Sequence, residues 1–189
     1  MKCDLTYDAA NHEYKLNGFP VPSVTQIIKA VLGSGYPDSP DKQWRMERGR
    51  AIHACVALIA QGKQFTNDPA IDGYVAAARK WFADNKPTIV QVEQPVANVT
   101  FQYAGTPDLV CRSLKAPILV DWKSCLEPER AKLQLAFYSL CFKPPIKWGI
   151  AVELREDSTY KTPGLWDLRR AQQEALAIRT VYNIKLRLT

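Results

Sequence analysis

The stretch Gly105-Thr106-Pro107-Asp108 is followed, a short connection later, by Ile118-Leu119-Val120-Asp121-Trp122-Lys123. An aspartate after a proline thus precedes an acid-x-lysine at the end of an apolar run. If residues 118–123 form a strand, Asp121 and Lys123 share one face and Trp122 takes the other. Ser113-Leu114-Lys115-Ala116 is short and polar enough to turn a hairpin, and Pro117 can open the second strand without wasting a ladder donor. With the turn centred between Leu114 and Lys115, counting outward sets Asp108 opposite Asp121, side chains about 5 Å apart. Two facing carboxylates repel each other when alone. They suit a divalent cation that prefers hard oxygen ligands, with Mg²⁺ the first choice. Spacing alone fits a surface hairpin with scattered charges equally well, so the remainder of the chain has to decide.

A length of 189 residues fits one domain spanning 1–189, enough chain to bury a full core. The 47% hydrophobic and 23% charged content is that of an ordinary globular protein and argues against disorder. No apolar run approaches the roughly 18 residues of a membrane span, and Met1-Lys2-Cys3-Asp4 does not lead into a signal-peptide core. A cytoplasmic location is the expectation. The net charge of +6 and pI near 9.1 favour a polyanionic partner. Five scattered cysteines without a CxxC pair support neither a zinc site nor a disulfide framework.

Along the chain, Glu13 to Gly18 predicts a strand running into an Asn-Gly turn, and Ser23 a helix N-cap. Residues 33–41 predict a loop. Helices are expected over about Lys42–Gln61, with Ile52, Val56 and Ile59 as its inner stripe, and over about Asp68–Asn85. Strands are expected at Thr88–Val92, Val96–Tyr103, Thr106–Cys111 and Ile118–Lys123, as a run of antiparallel pairs. A helix from Pro128 then precedes a strand through Ile146–Leu154, with Tyr160 on its hairpin partner, and a last helix covers about Leu165–Lys185. This order predicts an α/β domain with a central mixed, largely antiparallel sheet flanked by helices. Residues 1–45 form a strand-and-helix extension and 88–155 the sheet core.

Taken together these motifs resemble the PD-(D/E)XK nuclease superfamily, specifically its RecB-like exonuclease group with phage members. Beyond Asp108 and Asp121-Trp122-Lys123, Arg48-Gly49-Arg50-Ala51-Ile52-His53 resembles the group's helical glycine-to-histidine element. Glu93 resembles its upstream acid, and Gln134 with Tyr138 its Q-x-x-x-Y signature. Pro22-Ser23-Val24-Thr25 is similar to phage members. The resemblance implies a restriction-endonuclease-like core and hydrolysis of DNA phosphodiesters. It makes Asp108, Asp121, Lys123 and Glu93 catalytic. His53, Asp108, Asp121, Glu93 and the Trp122 carbonyl would bind Mg²⁺, with Mn²⁺ able to substitute. Gln134, Tyr138, Arg130 and Lys132 would hold DNA.

Some RecB-like nucleases carry an iron-sulfur cluster on one early cysteine and three late ones. Here the last cysteine is Cys141, so no cluster is expected. The resemblance implies a DNA exonuclease in phage recombination or end processing, located in the host-cell cytoplasm if phage-encoded. A single-strand-annealing protein or a helicase is the partner it implies. A structure-specific endonuclease and a non-catalytic DNA-binding or regulatory protein on the same fold are the alternatives. Arg169, Arg170, Arg179, Lys185 and Arg187 form a second basic group, read either as a solvated helix face or as a DNA track.

Overall fold

The computed structural model describes residues 4–9, 11–34, 40–113 and 116–188. At the N-terminus β1 (Leu5–Asp8), β2 (Glu13–Leu16) and β3 (Phe19–Val21) form an antiparallel sheet in that order. The β2–β3 turn is Asn17-Gly18, both at positive φ (51° and 83°), the backbone that a tight hairpin with right-handed strand twist demands. α1 (Val24–Leu32) follows, started by a capping box. The Gln26 N–H donates to Ser23 Oγ at 3.1 Å, and the Ser23 N–H donates to Gln26 Oε1 at 2.8 Å.

α2 (Lys42–Ala60) and α3 (Asp72–Asn85) come next, then β4 (Thr88–Val92), β5 (Val96–Asn98), β6 (Tyr103–Gly105), β7 (Leu109–Ser113) and β8 (Ala116–Lys123). α4 (Pro128–Ser139) crosses back to β9 (Trp148–Leu154), and β10 (Tyr160–Lys161), β11 (Trp166–Asp167) and α5 (Arg169–Leu188) finish the chain. The main sheet runs β10-β9-β8-β7-β4, with β11 also on β9. β8 and β9 are parallel and the other pairs antiparallel, so the sheet is mixed and largely antiparallel, as expected. The parallel pair follows from the α4 crossover, which returns the chain to the same end of the sheet.

Both faces of the sheet are covered, which is why β8 is a continuous apolar run. Leu109, Cys111, Ile118, Val120 and Trp122 pack against α2 and α3, where Trp122 meets Trp81 edge-on at 4.9 Å. Val110 and Leu119 point the other way, into a cluster with α1, α4 and α5. No described helix is long and apolar enough to cross a membrane.

Four segments depart from expectation, one of them the strand expected from Thr106, which begins only at Leu109. Val96–Tyr103 is not one strand: Asn98 Oδ1 accepts from the Phe101 N–H at 3.0 Å and Gln102 takes a φ of 51°. That turn folds β5 onto β6 as a separate two-stranded sheet, so β4 pairs directly with β7. The last helix starts at Arg169, because Trp166 and Asp167 are taken by β9. The helix expected from Asp68 begins as a 3₁₀ turn, Pro69–Ile71, with Asp68 accepting from the Ala70 N–H at 2.9 Å. Of the residues expected in loops, 35–39, Leu114 and Lys115 lie outside the described residues.

Gly73 carries a packing constraint. A methyl group there would fall on the Glu156 backbone carbonyl, between α3 and the β9–β10 connection. Gly73→Ala is expected to destabilise the fold by about 1–3 kcal/mol through overpacking. Urea unfolding checks this, and an unchanged midpoint would contradict the close approach.

Candidate metal centre

Three strand ends meet at one edge of the sheet. Val92 pairs with Leu109 and Leu109 with Val120, so Glu93 just after β4, Asp108 just before β7 and Asp121–Lys123 closing β8 converge. The register also continues with Ser113 opposite Ala116, the count that sets Asp108 across from Asp121. Glu93 sits in the left-handed region at φ 47°, and its N–H donates to the Asp108 carbonyl at 3.0 Å. A glutamate held there is strained, a conformation that recurs where a side chain must be aimed. α2 packs on α3 and supplies His53, one residue past the buried Ile52.

The contacts are specific. His53 Nδ1 lies 3.2 Å from Asp108 Oδ1, and the Trp122 N–H donates to Asp108 Oδ2 at 2.8 Å. Lys123 Nζ donates to Asp121 Oδ1 at 3.0 Å and to Gln134 Oε1 at 3.3 Å. Gln134 Nε2 donates in turn to the Tyr138 hydroxyl at 3.0 Å. Tyr138 can reach this point because its ring lies against Gly105, where a Cβ would stand 2.6 Å from the ring. One ligand atom from each of His53, Glu93 and Asp108 lies within 4.8 Å of the others.

Charge is crowded here. Burial and then the Asp108 charge push Glu93 up to about 7. Burial pushes Asp121 up to about 6 against the pull of Lys123. For His53, burial is outweighed by the Asp108 carboxylate and its hydrogen bond, leaving the imidazole above its usual value; Asp108 is held below its own by the same pair. Asp121 Oδ2 is sealed from solvent and accepts no aligned hydrogen bond, although Lys123 Nζ lies 2.9 Å away. Hard oxygen donors with a surplus of negative charge, plus one imidazole, fit a divalent cation.

The other expected residues divide. Arg130 lines a cleft with Lys123, Gln134 and Lys29, and also donates to the Gly33 carbonyl. Lys132, half-buried on α4, lies outside that cleft. Three members of the basic group on α5 make contacts within the fold: Arg179 is buried and donates to the carbonyls of Phe101 and Gln102, Lys185 donates to Ala30, and Arg169 pairs with Asp167, whereas Arg170 and Arg187 stay exposed. A second cleft, of about 430 Å³, joins Lys29, Arg45, Arg48 and His53 to Lys123. Arg48 is oriented by the rings of Trp44 and Tyr74, at 4.6 and 5.1 Å. A third, of about 650 Å³, holds His53, Glu93 and Asp108 and extends to Tyr7, His12 and Tyr14. No motif in the sequence marks these N-terminal residues, and Tyr14 stands there only as a strand position.

The architecture is similar to that of an alkaline exonuclease, LHK-Exo, from Laribacter hongkongensis. The TM-score is 0.50 at 12% identity, over 88% of this chain and 87% of that one. LHK-Exo in complex with dAMP gives a TM-score of 0.50 at 11% identity, over 89% and 88%. At such identities the likeness is one of fold: an α/β single domain with a mixed sheet flanked by helices. No protein-family model matches the sequence, and no curated protein matches it.

The carboxyls set the pH response of the metal-free protein. Glu93, raised from 4.5 to about 7, contributes stability that is complete below 4.5 and lost as pH rises through about 7. Asp121 behaves likewise from 3.8 to about 6, and His53, raised above 6.5, has the same sign. In EDTA the thermal midpoint of wild type, measured against Glu93→Gln, should fall as pH rises through this window. Mn²⁺ should restore it at the alkaline end. A wild-type midpoint that stays level with that of Glu93→Gln across this window, or rises relative to it, would contradict the crowded site.

Proposed function

We propose that the protein is a metal-dependent DNA exonuclease of the PD-(D/E)XK type, hydrolysing phosphodiester bonds at strand ends. The observation that carries this reading is the linked set at the three strand ends: His53, Glu93 and Asp108 on one side, and Asp121, Lys123, Gln134 and Tyr138 in hydrogen-bonded series on the other. The fold shared with an alkaline exonuclease supports it, as does a deoxynucleotide, dAMP, in one structure of that enzyme.

Asp108, Asp121, Glu93 and His53, with the Trp122 carbonyl, would hold Mg²⁺ or Mn²⁺. A bound ion of this kind offsets charge on the scissile phosphate and makes water more acidic. Lys123 is anchored by Asp121 and Gln134, so its ammonium is held in place before substrate arrives. It orients the attacking water and stabilises charge growing on the phosphate oxygens. Lys29, Arg45 and Arg130 along the clefts hold the backbone on either side. A role in recombination or end processing, beside a single-strand-annealing protein or a helicase, is the setting such an activity suits.

Digestion of end-labelled linear DNA and closed circles in Mg²⁺, Mn²⁺ or EDTA tests the proposal. Linear DNA should be degraded only with metal, and Asp121→Asn and Lys123→Ala should each lower the rate by about 10²-fold or more. Cutting of circles would move the assignment to an endonuclease. Salt-sensitive binding without cleavage in either metal would overturn catalysis and leave a DNA-binding protein.

A further inference from the structure

The 650 Å³ cleft does not end at the carboxylates. From Asp108 and His53 it runs to an aromatic wall on the N-terminal sheet formed by Tyr7, His12 and Tyr14, with Arg50 of α2 also on its lining. Tyr7 pairs with Tyr14 across the β1–β2 register, and their rings stack at 4.6 Å, 22° from parallel. His12 meets both rings edge-on at 5.7 Å, and its Nδ1 lies 3.0 Å from the Tyr7 hydroxyl. Tyr14 is buried and belongs to the small core under this sheet, whereas Tyr7 is only partly covered and His12 is exposed.

His12 ends the β1–β2 turn at φ 54°, and the Tyr7 hydroxyl holds its ring beside the wall. The wall is also tied to the candidate centre: the Tyr14 hydroxyl bonds Thr106 Oγ1 at 2.8 Å, two residues before Asp108. The cleft volume lies within the range of about 300–1,000 Å³ usual for small-ligand sites.

We infer that Tyr7 and His12 form a base-stacking subsite, which receives an unstacked nucleobase next to the scissile phosphate at the proposed metal site of Asp108 and His53, with Arg50 available to a neighbouring phosphate. Aromatic faces accept any base, so the subsite selects for an unpaired strand end and not for sequence. A base inside a duplex is covered by its neighbours and cannot reach the wall without fraying. The inference rests on the nuclease reading for its substrate, single-stranded or frayed DNA ends.

Two measurements test it on wild type, Tyr7→Ala, Tyr7→Phe and His12→Ala. The first is quenching of 2-aminopurine deoxyribonucleoside monophosphate fluorescence, with Ca²⁺ as a metal for binding alone. Wild type and Tyr7→Phe should quench the probe, and Tyr7→Ala should weaken binding by about ten-fold, the size of one base–aromatic stack. The second is kcat/KM on single-stranded oligonucleotides whose end carries a normal or an abasic nucleotide. Wild type should prefer the normal end by about ten-fold, and Tyr7→Ala should lose the preference while Tyr7→Phe keeps it. Equal binding by wild type and Tyr7→Ala, or a wild type indifferent to the abasic end, would overturn the subsite. Quenching with no cleavage of any DNA would keep the subsite and remove the nuclease reading instead.

Discussion

The register between β7 and β8 is the constraint on which the remainder of the site depends. With Leu109 opposite Val120, Asp108 and Asp121 are brought to the same edge, and β4 pairing with β7 brings Glu93 there too. A slip of one residue would exchange the two sheet faces and turn Asp121 and Lys123 toward α3. The register is secured by burial on both sides. Trp122 locks one face against Trp81, and Leu119 sits in the opposite cluster with α1, α4 and α5. The energy that fixes the strands is therefore apolar, while the residues it delivers to the edge are charged.

That delivery has an electrostatic cost which the fold only partly offsets. Lys123 offsets part of the charge on Asp121, and His53 part of that on Asp108, but Glu93 is left in a position where it takes up a proton near neutrality. A site made only for stability would pair such groups fully or replace them with apolar ones. An arrangement that remains over-acidic, with a buried carboxylate oxygen short of an aligned donor, suits a cation.

Much of this was legible in the sequence because it is local or periodic. The Asp108–Asp121 pairing followed from counting outward from one hairpin, and the Ser23 N-cap from its place just ahead of an apolar helical stretch. The apolar run of residues 118–123 announced a strand. What was not legible depends on long-range contacts. Val96–Tyr103 alternates like a strand, and only the Asn98 turn, also held by Asn98 Nδ2 donating to the Leu140 carbonyl at 2.7 Å, breaks it. The basic residues of α5 have the composition of a DNA track. Their partners in the loop at Phe101–Gln102 and in α1, remote in sequence, turn Arg179 and Lys185 to structural use. The Tyr7–His12 wall was invisible for the same reason, since its link to the centre is a hydrogen bond between residues 92 apart.

Occupation of the three strand ends by a divalent cation is the point on which the proposed chemistry turns. Anomalous diffraction from crystals grown with Mn²⁺ tests it directly. A peak should appear between the carboxylates of Asp108 and Asp121, within reach of Glu93 and His53, and disappear in Asp121→Asn. A peak elsewhere on the molecule, or none at this edge with the carboxylates ionised, would contradict it.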